Sequence, residues 1–119
     1  MLSRDSLMCY ISGTASIRGE KSVDAGDPIA QAVTTMENID YLVSPENLSR
    51  NGADVAVGAP RYELLRVSVK RREDMAALKE YMCDRYPSAN LLFLNTDVCR
   101  SELLVEIEGI ASYGGGDKV

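Results

Sequence analysis

The residues best suited to chemistry stand together near the end of the chain, in residues 98–110. This segment, VCRSELLVEIEGI, holds a thiol at Cys99, a guanidinium at Arg100 and carboxylates at Glu102, Glu106 and Glu108. A carboxyl group can act as a general acid or base, a thiol can attack or shape a ligand, and an arginine can neutralise a ligand carboxylate. We therefore expect the chemistry of the chain in this segment.

The same segment has the alternation of a β-strand. Two sets of side chains alternate along it: Leu103, Val105 and Ile107 in one, and Glu102, Leu104, Glu106 and Glu108 in the other. A period of two sends the first set into a core and the second set to the opposite face of a sheet. A carboxylate face that is merely solvated on a half-exposed antiparallel strand gives the same pattern. The pattern alone thus leaves a structural and a catalytic role open.

The length, apolar fraction and net charge of the chain limit the classes of protein to which it can belong. The 119 residues suffice for one domain with a single core, and the apolar fraction of 45% is ordinary for a globular chain. Thirteen basic against eighteen acidic residues give a net charge of -5, which repels phosphate backbones. We expect no nucleic acid partner, and interpret the basic triplet at residues 70–72 as a solvated strand end.

The cysteines and the absence of histidine restrict the chemistry further. Cys9, Cys83 and Cys99 cannot all pair and show no metal-ligand spacing, and the chain has no histidine. We therefore expect no metal, no zinc site and no histidine-based triad. The start of the chain has no apolar run long enough for a signal or a membrane anchor, so we expect a cytoplasmic protein with reduced thiols and no membrane partner.

The first half of the chain predicts one strand and one long helix. Residues 7–17 alternate as a strand does, and Gly13 permits a close backbone approach or a bulge there. Asp27 followed by Pro28 predicts a helix start, because aspartate caps the first turn and proline needs no N–H there. Apolar residues then recur every three or four positions, at Ile29, Ala32, Val33, Met36, Ile39 and Val43. This stripe predicts packing against a sheet.

The second half predicts a short helix after Ser44, an eight-residue loop, and a strand over residues 61–70. A helix that ends before Pro87, a strand over residues 91–94 and the strand that holds Glu106 complete the order. On the strand over residues 61–70 the two faces carry Leu65, Val67 and Val69 against Tyr62, Leu64, Arg66 and Ser68. Residues 112–119, with three consecutive glycines, predict a flexible tail.

Two main helices can cover only one face of such a sheet. The predicted second face carries Leu64, Leu104 and Ile110 beside Arg66, Glu106 and Glu108. It is too apolar to stay open and too polar for a sealed core, so it needs a partner.

Three sequence blocks resemble a known family. VEIEGIA near the end, YISGTAS near the start and AQAVTTMENI between them look like the Rid superfamily of reactive intermediate deaminases, also called YjgF-like proteins, over roughly residues 10–111. Some proteins of this kind carry an endoribonuclease L-PSP label. The variant DVCRSELLVEIE, together with ISGTASI, is similar to the C-terminal half of chorismatases, which are built from Rid-like domains.

The resemblance implies an α+β fold of the Rid/chorismate-mutase type, with a mixed sheet and two main helices on one face. It further implies a single Rid-like domain over residues 1–119 and a homotrimer with its pockets at the subunit interfaces. It places the backbone of Ser12 and Gly13 in the ligand pocket and makes Glu106 the acidic residue that positions water or transfers protons. The seven-residue spacing from Cys99 to Glu106 resembles that of the chorismatases that form 3-hydroxybenzoate. Arg100 would then face a ligand carboxylate.

Two departures from the family pattern keep three functions open. An ungapped alignment puts Leu91 where the imine deaminases have their carboxylate-binding arginine, and chorismatases fuse two Rid-like domains where this sequence matches one. The first hypothesis is an enzyme acting on chorismate or a related cyclic carboxylate, with Glu106 as general acid/base and Cys99 shaping or attacking the ligand. The others are a trimeric binding module without turnover and an enamine or imine hydrolase that uses Glu106 alone. None of the three calls for a cofactor.

Overall fold

A mixed β-sheet with helices on one face forms the body of the protein in a computed structural model, which describes residues 7–15, 17–18, 21–22, 26–50, 60–96 and 103–113. The strands are β1 (Leu7–Thr14), β2 (Ile17–Arg18), β3 (Lys21–Ser22), β4 (Arg61–Val69), β5 (Asn90–Asn95) and β6 (Val105–Tyr113). The helices are α1 (Pro28–Leu42), α2 (Pro45–Arg50) and α3 (Met75–Arg85), with a 3₁₀ turn at Arg72–Asp74.

The main sheet has the strand order β1-β6-β4-β5. β6 is antiparallel to both of its neighbours, β1 and β4, while β5 runs parallel to β4 after the crossover through α3. β2 and β3 form a separate two-stranded antiparallel pair within the stretch after β1. The mixed sheet and the α+β class are therefore as the sequence predicts, and the β2-β3 pair is an addition to the predicted order.

Helix α1 begins where the sequence signal places it. The Asp27 side chain accepts a hydrogen bond from the Ala30 backbone N–H at 3.0 Å, and Pro28 occupies the first turn. Ala32, Met36 and Ile39 of the predicted stripe are buried against the sheet. No helix among the described residues is long and apolar enough to cross a membrane.

The core lies between the sheet and helices α1 and α3. Leu65, Val67 and Val69 of β4 and Val105 and Ile107 of β6 have no exposed surface. The helices contribute Ala32, Met36 and Ile39 from α1 and Leu78 and Met82 from α3. Because these strand residues alternate, the intervening side chains point to the sheet face away from the helices, which we call the outer face.

Leu104 corrects one prediction. Its side chain is 6% exposed and belongs to the core, whereas strand alternation puts it on the outer face. The reason is that β6 begins only at Val105, so the period of two does not extend back to Leu104. The backbone of Leu104 is held from two sides: its N–H donates to Gln31 Oε1 at 2.7 Å, and its carbonyl accepts from the Lys70 N–H at 2.9 Å.

Tyr62 corrects a second prediction. Tyr62 pairs with Ala111 and Leu64 pairs with Ile110, so two steps of β4 oppose one step of β6. This bulge at Glu63 turns Tyr62 to the helix side, where its hydroxyl donates to Asp40 of α1. A bulge adds one residue to the strand and reverses the faces of the side chains beyond it. The alternation in the sequence therefore predicted the outer face for Tyr62, which is wrong.

The predicted flexible tail begins too early. Ser112 and Tyr113 belong to β6, and the Tyr113 hydroxyl donates to the Val43 carbonyl at the end of α1. The burial of Tyr113 anchors this end of the strand against the core. Residues 114–119 of the predicted tail, and the loop predicted after Gly52, lie outside the described residues.

Candidate functional site

A cleft of about 470 Å³ opens on the outer face and is lined by residues from the bulged end of β1 and from β6, β4 and β5. We call it the Glu106 cleft. It is lined by Gly13, Arg66, Ser68, Leu94, Asn95, Thr96, Glu106 and Glu108. The Asn95 side chain ties the edge of the cleft on β5 to the end of β4, because its Nδ2 donates to the carbonyls of Val69 and Lys70 at 2.9 and 3.2 Å. Both carboxylates of the VEIE motif thus reach one cavity.

The bulge in β1 makes room for Glu106. Ile11 opposes Gly109 and Thr14 opposes Ile107, so three steps of β1 match two steps of β6. A Cβ atom at position 13 would collide with Glu106 Oε2 and lie 3.0 Å from Glu106 Cδ. Glycine at this position therefore lets the carboxyl group lie directly over the β1 backbone. The predicted close approach at Gly13 is confirmed, and its partner is Glu106.

The two carboxylates of the cleft have different surroundings. Glu108 lies opposite Arg66, and its Oε2 is 3.0 Å from Arg66 Nη1. Glu106 lies opposite Ser68 and makes no ion pair with any other described residue. A carboxylate that is half-buried and lacks a cationic partner stays available to a ligand or a proton. Glu106 is therefore the better candidate for acid–base work.

A second cleft of about 360 Å³ adjoins the first on the outer face. We call it the Tyr10 cleft. It is lined by Tyr10, Ile11, Ser12, Leu64, Arg66, Glu108, Gly109 and Ile110. Arg66 and Glu108 line both clefts, so the ion pair stands at their junction. The Tyr10 cleft is the more apolar of the two, because aromatic and aliphatic side chains supply most of its wall.

The structure brings three of the five predicted site residues to this region. Gly13 and Glu106 share the Glu106 cleft, and Ser12 lines the Tyr10 cleft beside them. Cys99 and Arg100 lie outside the described residues. Their roles in attack, ligand shape or carboxylate binding stay predictions.

Leu91 lies on the wrong face to contact a ligand in either cleft. It pairs with Leu65 and packs against the core, with Phe93 beside it. The outer-face positions of β5 are instead Leu92, opposite Arg66, and Leu94, opposite Ser68. A pocket arginine would have to stand on that outer face. Leu91 therefore contributes to the core and not to ligand binding in either cleft.

The described residues hold no obvious metal centre. No group of three or more His, Cys, Asp or Glu side chains among them is arranged to bind a metal ion. Cys9 faces the helix side of the sheet, where burial raises the pKa of its thiol. Cys83 is exposed on α3. Among the described residues, the two outer-face clefts are lined by two carboxylates, one guanidinium, and hydroxyl and amide side chains.

The sequence predicted the correct face of the sheet for Arg66 but no function for this residue. The alternation of β4 puts it on the same face as Glu106, but the pairing of Arg66 with Glu108 depends on the register between β4 and β6. The sequence carries no clear signal for that register, nor for the bulge at Glu63 that shifts it near the start of β4.

Comparisons with known proteins agree with this architecture. No family model matches the chain. It is 38% identical over 102 residues to a 3-hydroxybenzoate synthase from Streptomyces hygroscopicus, covering 85% of this chain and 30% of that protein. A chorismatase crystal structure superposes with a TM-score of 0.79 at 34% identity, covering 87% of this chain and 31% of that one. This chain is a Rid-fold relative of the chorismatases.

The chain spans about a third of the length of the chorismatases that it matches. YyfB, a Rid-family protein of unknown function from Yersinia pestis, is similar over most of its own length. Its TM-score is 0.62 at 24% identity, and the match covers 87% of this chain and 77% of that one. This second similarity shows the fold. The expected Rid architecture is therefore confirmed for the domain.

Proposed function

We propose that this chorismatase-related domain binds a small carboxylate-bearing metabolite in the Glu106 cleft, and that Glu106 is the general acid/base of a chorismatase-like reaction. The observation that carries the proposal is the contrast between the two carboxylates of the cleft. Glu108 is neutralised by Arg66 at 3.0 Å, while Glu106 lies over Gly13 with no ionic partner among the described residues.

The chemistry fits a single proton-transferring carboxyl group. Chorismate has the same atoms as pyruvate plus 3-hydroxybenzoate, so its conversion to these products needs neither an oxidant nor a cofactor. A group that delivers one proton and accepts another can serve both halves of such a conversion. Cys99 is proposed to shape or attack the ligand and Arg100 to face its carboxylate, on the strength of their positions seven and six residues before Glu106.

We also propose that a homotrimer completes the cleft. The outer face leaves Tyr10 77%, Met8 48% and Leu92 47% exposed, and the two clefts lie open beside them. Covering these side chains with another subunit would remove apolar surface from water and give the cleft its second wall. Exclusion of water would also strengthen the hydrogen bonds between Glu106 and a bound ligand.

Incubation with chorismate, followed by product analysis, tests the proposed reaction. Release of pyruvate together with a hydroxybenzoate is the expected result. Stabilisation of the protein by chorismate without any product would instead favour a binding module without turnover. Ammonia release from imino acids, with chorismate unchanged, would favour an imine hydrolase that uses Glu106 alone. Either of these two results contradicts the chorismatase-like proposal.

A further inference from the structure

Arg66 occupies the junction of the two outer-face clefts. We infer that Arg66 anchors the carboxylate of the ligand, with Glu108 holding the guanidinium in place from the other side. The inference rests on the proposed function of the Glu106 cleft and assigns the ring carboxylate to Arg66, which leaves the second carboxylate of chorismate for Arg100. The ligand class is an aromatic or cyclic carboxylate, because the distance along the strands between the Arg66 and Glu106 positions accommodates one ring.

The charge of the cleft favours Arg66 as the anchor. Glu106 and Glu108 both line it, and two carboxylates would repel an anionic ligand. Arg66 is the sole cation among the described residues that line either cleft. A carboxylate-bearing ligand therefore finds its electrostatic match at this side chain.

Arg66 also has N–H donors to spare for a ligand. A guanidinium carries five N–H donors, and a planar carboxylate matches two of them at once. The contact with Glu108 joins Nη1 to Oε2 alone, and the Arg66 side chain is 48% exposed. Donors thus remain for a second carboxylate while Glu108 stays in place. A simple cross-strand ion pair would contribute at most about 1 kcal/mol to stability, which gives no structural reason for an arginine here.

The distance between the Arg66 and Glu106 positions suits a cyclic ligand. The pairs Arg66–Glu108 and Ser68–Glu106 are successive outward-facing pairs of the same two strands. Successive pairs on one face lie about 7 Å apart along a strand. That separation leaves room for one ring between the guanidinium and the Glu106 carboxyl group. A ring carboxylate held by Arg66 would then present its remaining substituents to Glu106.

Binding of two probes that differ only in the carboxylate tests the inference. 3-Hydroxybenzoate and 3-hydroxybenzyl alcohol are titrated by calorimetry into the wild type, Arg66→Gln and Arg61→Gln. Arg61 is the matched control, since it lies on the same strand, pairs with Glu63 at 3.9 Å and lines neither outer-face cleft. We expect the wild type and Arg61→Gln to prefer the acid by about tenfold or more, and Arg66→Gln to lose the preference.

Two further variants sharpen the result. Arg66→Lys keeps the positive charge but lacks the planar pair of donors of a guanidinium, so it should retain part of the preference for the acid. It also provides a second variant if Arg66→Gln does not fold. Glu108→Gln leaves a hydrogen-bonding partner but removes the competing charge, so it should bind the acid a few-fold more tightly. Weaker binding of the acid by Glu108→Gln would contradict the assigned arrangement.

The outcomes separate this inference from the proposed function. If folded Arg66→Gln keeps the preference for the acid, or if the wild type has none, Arg66 is not the anchor. Loss of the preference in Arg100→Gln alone would move the anchor to Arg100. If the preference depends on Arg66 but chorismate is not converted, the anchor stands and the proposed reaction fails.

Discussion

At the scale of single residues, two glycines have different functions in the same sheet. Gly13 leaves space for a side-chain end, the carboxyl group of Glu106. Gly109 leaves space for backbone, because a Cβ there would collide with the Leu64 carbonyl oxygen and lie 3.1 Å from Leu65 Cδ2. A flexible side chain can move aside, whereas paired strand backbone cannot. The first glycine therefore serves the site and the second serves the fold.

Replacing each glycine with alanine should separate the two roles. Gly13→Ala should leave the free energy of unfolding within about 1 kcal/mol of wild type, while a displaced Glu106 lowers turnover by roughly 10². Gly109→Ala should destabilise the fold by about 1–3 kcal/mol through overpacking. Denaturant unfolding and steady-state kinetics on both variants measure this. Equal loss of stability in the two variants would refute the distinction.

Much of the site was predictable from residue types and alternation. Glu106 and Glu108 share the outer face as the period of two predicts, and the glycine of YISGTAS does mark a bulge. Which side chains of the site form an ion pair was not predictable. Which carboxylate meets Arg66 depends on strand register, which short-range patterns do not encode across about forty residues of intervening chain.

At the scale of elements, helix α1 is fixed to the sheet by polar contacts near both its ends. Gln31 near its start accepts from the Leu104 N–H, just before β6. Near its end, Asp40 accepts from the Tyr62 hydroxyl, and the Val43 carbonyl just after the helix accepts from Tyr113. These contacts hold both ends of β6, the strand that carries Glu106.

Tyr62 should make stability depend on alkaline pH. Burial, and then the hydrogen bond to Asp40, raise the pKa of Tyr62 well above its ordinary value of 10.0. Its contribution is therefore full below pH 10 and is lost above it, because the unfolded chain releases the phenolic proton first. Tyr62→Phe should cost about 0.5–1.5 kcal/mol at pH 7 and show a shallower loss of stability above pH 10.

Urea unfolding of both proteins at pH 7 and at alkaline pH measures the effect. Burial also raises the pKa of Tyr86 and Tyr113, so the variant should keep part of the alkaline loss. An identical pH dependence in wild type and Tyr62→Phe would show that ionisation of the half-buried Tyr62 phenol does not couple to folding.

The elements themselves were largely predictable, and the exceptions share one cause. Helix-capping residues and apolar stripes in the sequence predicted α1 and α3, and the alternation of apolar and polar residues predicted β4 and β6. Tyr62 and Leu104 were assigned to the wrong face of the sheet. A bulge interrupts the alternation of side chains beside Tyr62, and β6 begins only after Leu104. Alternation is reliable only inside uninterrupted pairing, and interruptions arise from tertiary contacts.

At the scale of the whole molecule, the open outer face predicts self-association. Light scattering at micromolar concentration should give three times the mass of one chain. Leu92→Glu should shift the protein towards monomer, because it places a charge on the face that the proposed trimer would cover. Leu42→Glu is the matched control, since Leu42 is 45% exposed against 47% for Leu92 but lies at the end of α1. A wild-type monomer would contradict the trimer proposal.

The charge of the molecule predicts no specific RNA binding. The net charge is -5, and β4 ends beside a single basic triplet, residues 70–72. Arg71 of that triplet is already engaged, with its Nε 2.8 Å from Asp74 Oδ2. Fluorescence anisotropy with single-stranded RNA should show no binding at about 0.15 M salt. Tight binding that persists at that salt concentration would overturn the expectation.

The central claim is that Glu106 performs proton transfer in the outer-face cleft, and the rate of pyruvate release from chorismate tests it most directly. Glu106→Gln keeps size and most hydrogen bonds but removes the titratable proton, so the rate should fall by about 10² or more with the fold intact. Glu63→Gln removes the same charge on β4, outside both clefts, where Glu63 accepts from Ser112 Oγ at 2.6 Å. It should keep the wild-type rate, and Glu108→Gln should lose much less than Glu106→Gln. A wild-type rate in Glu106→Gln, or an equal fall in Glu108→Gln, would contradict the assignment of Glu106.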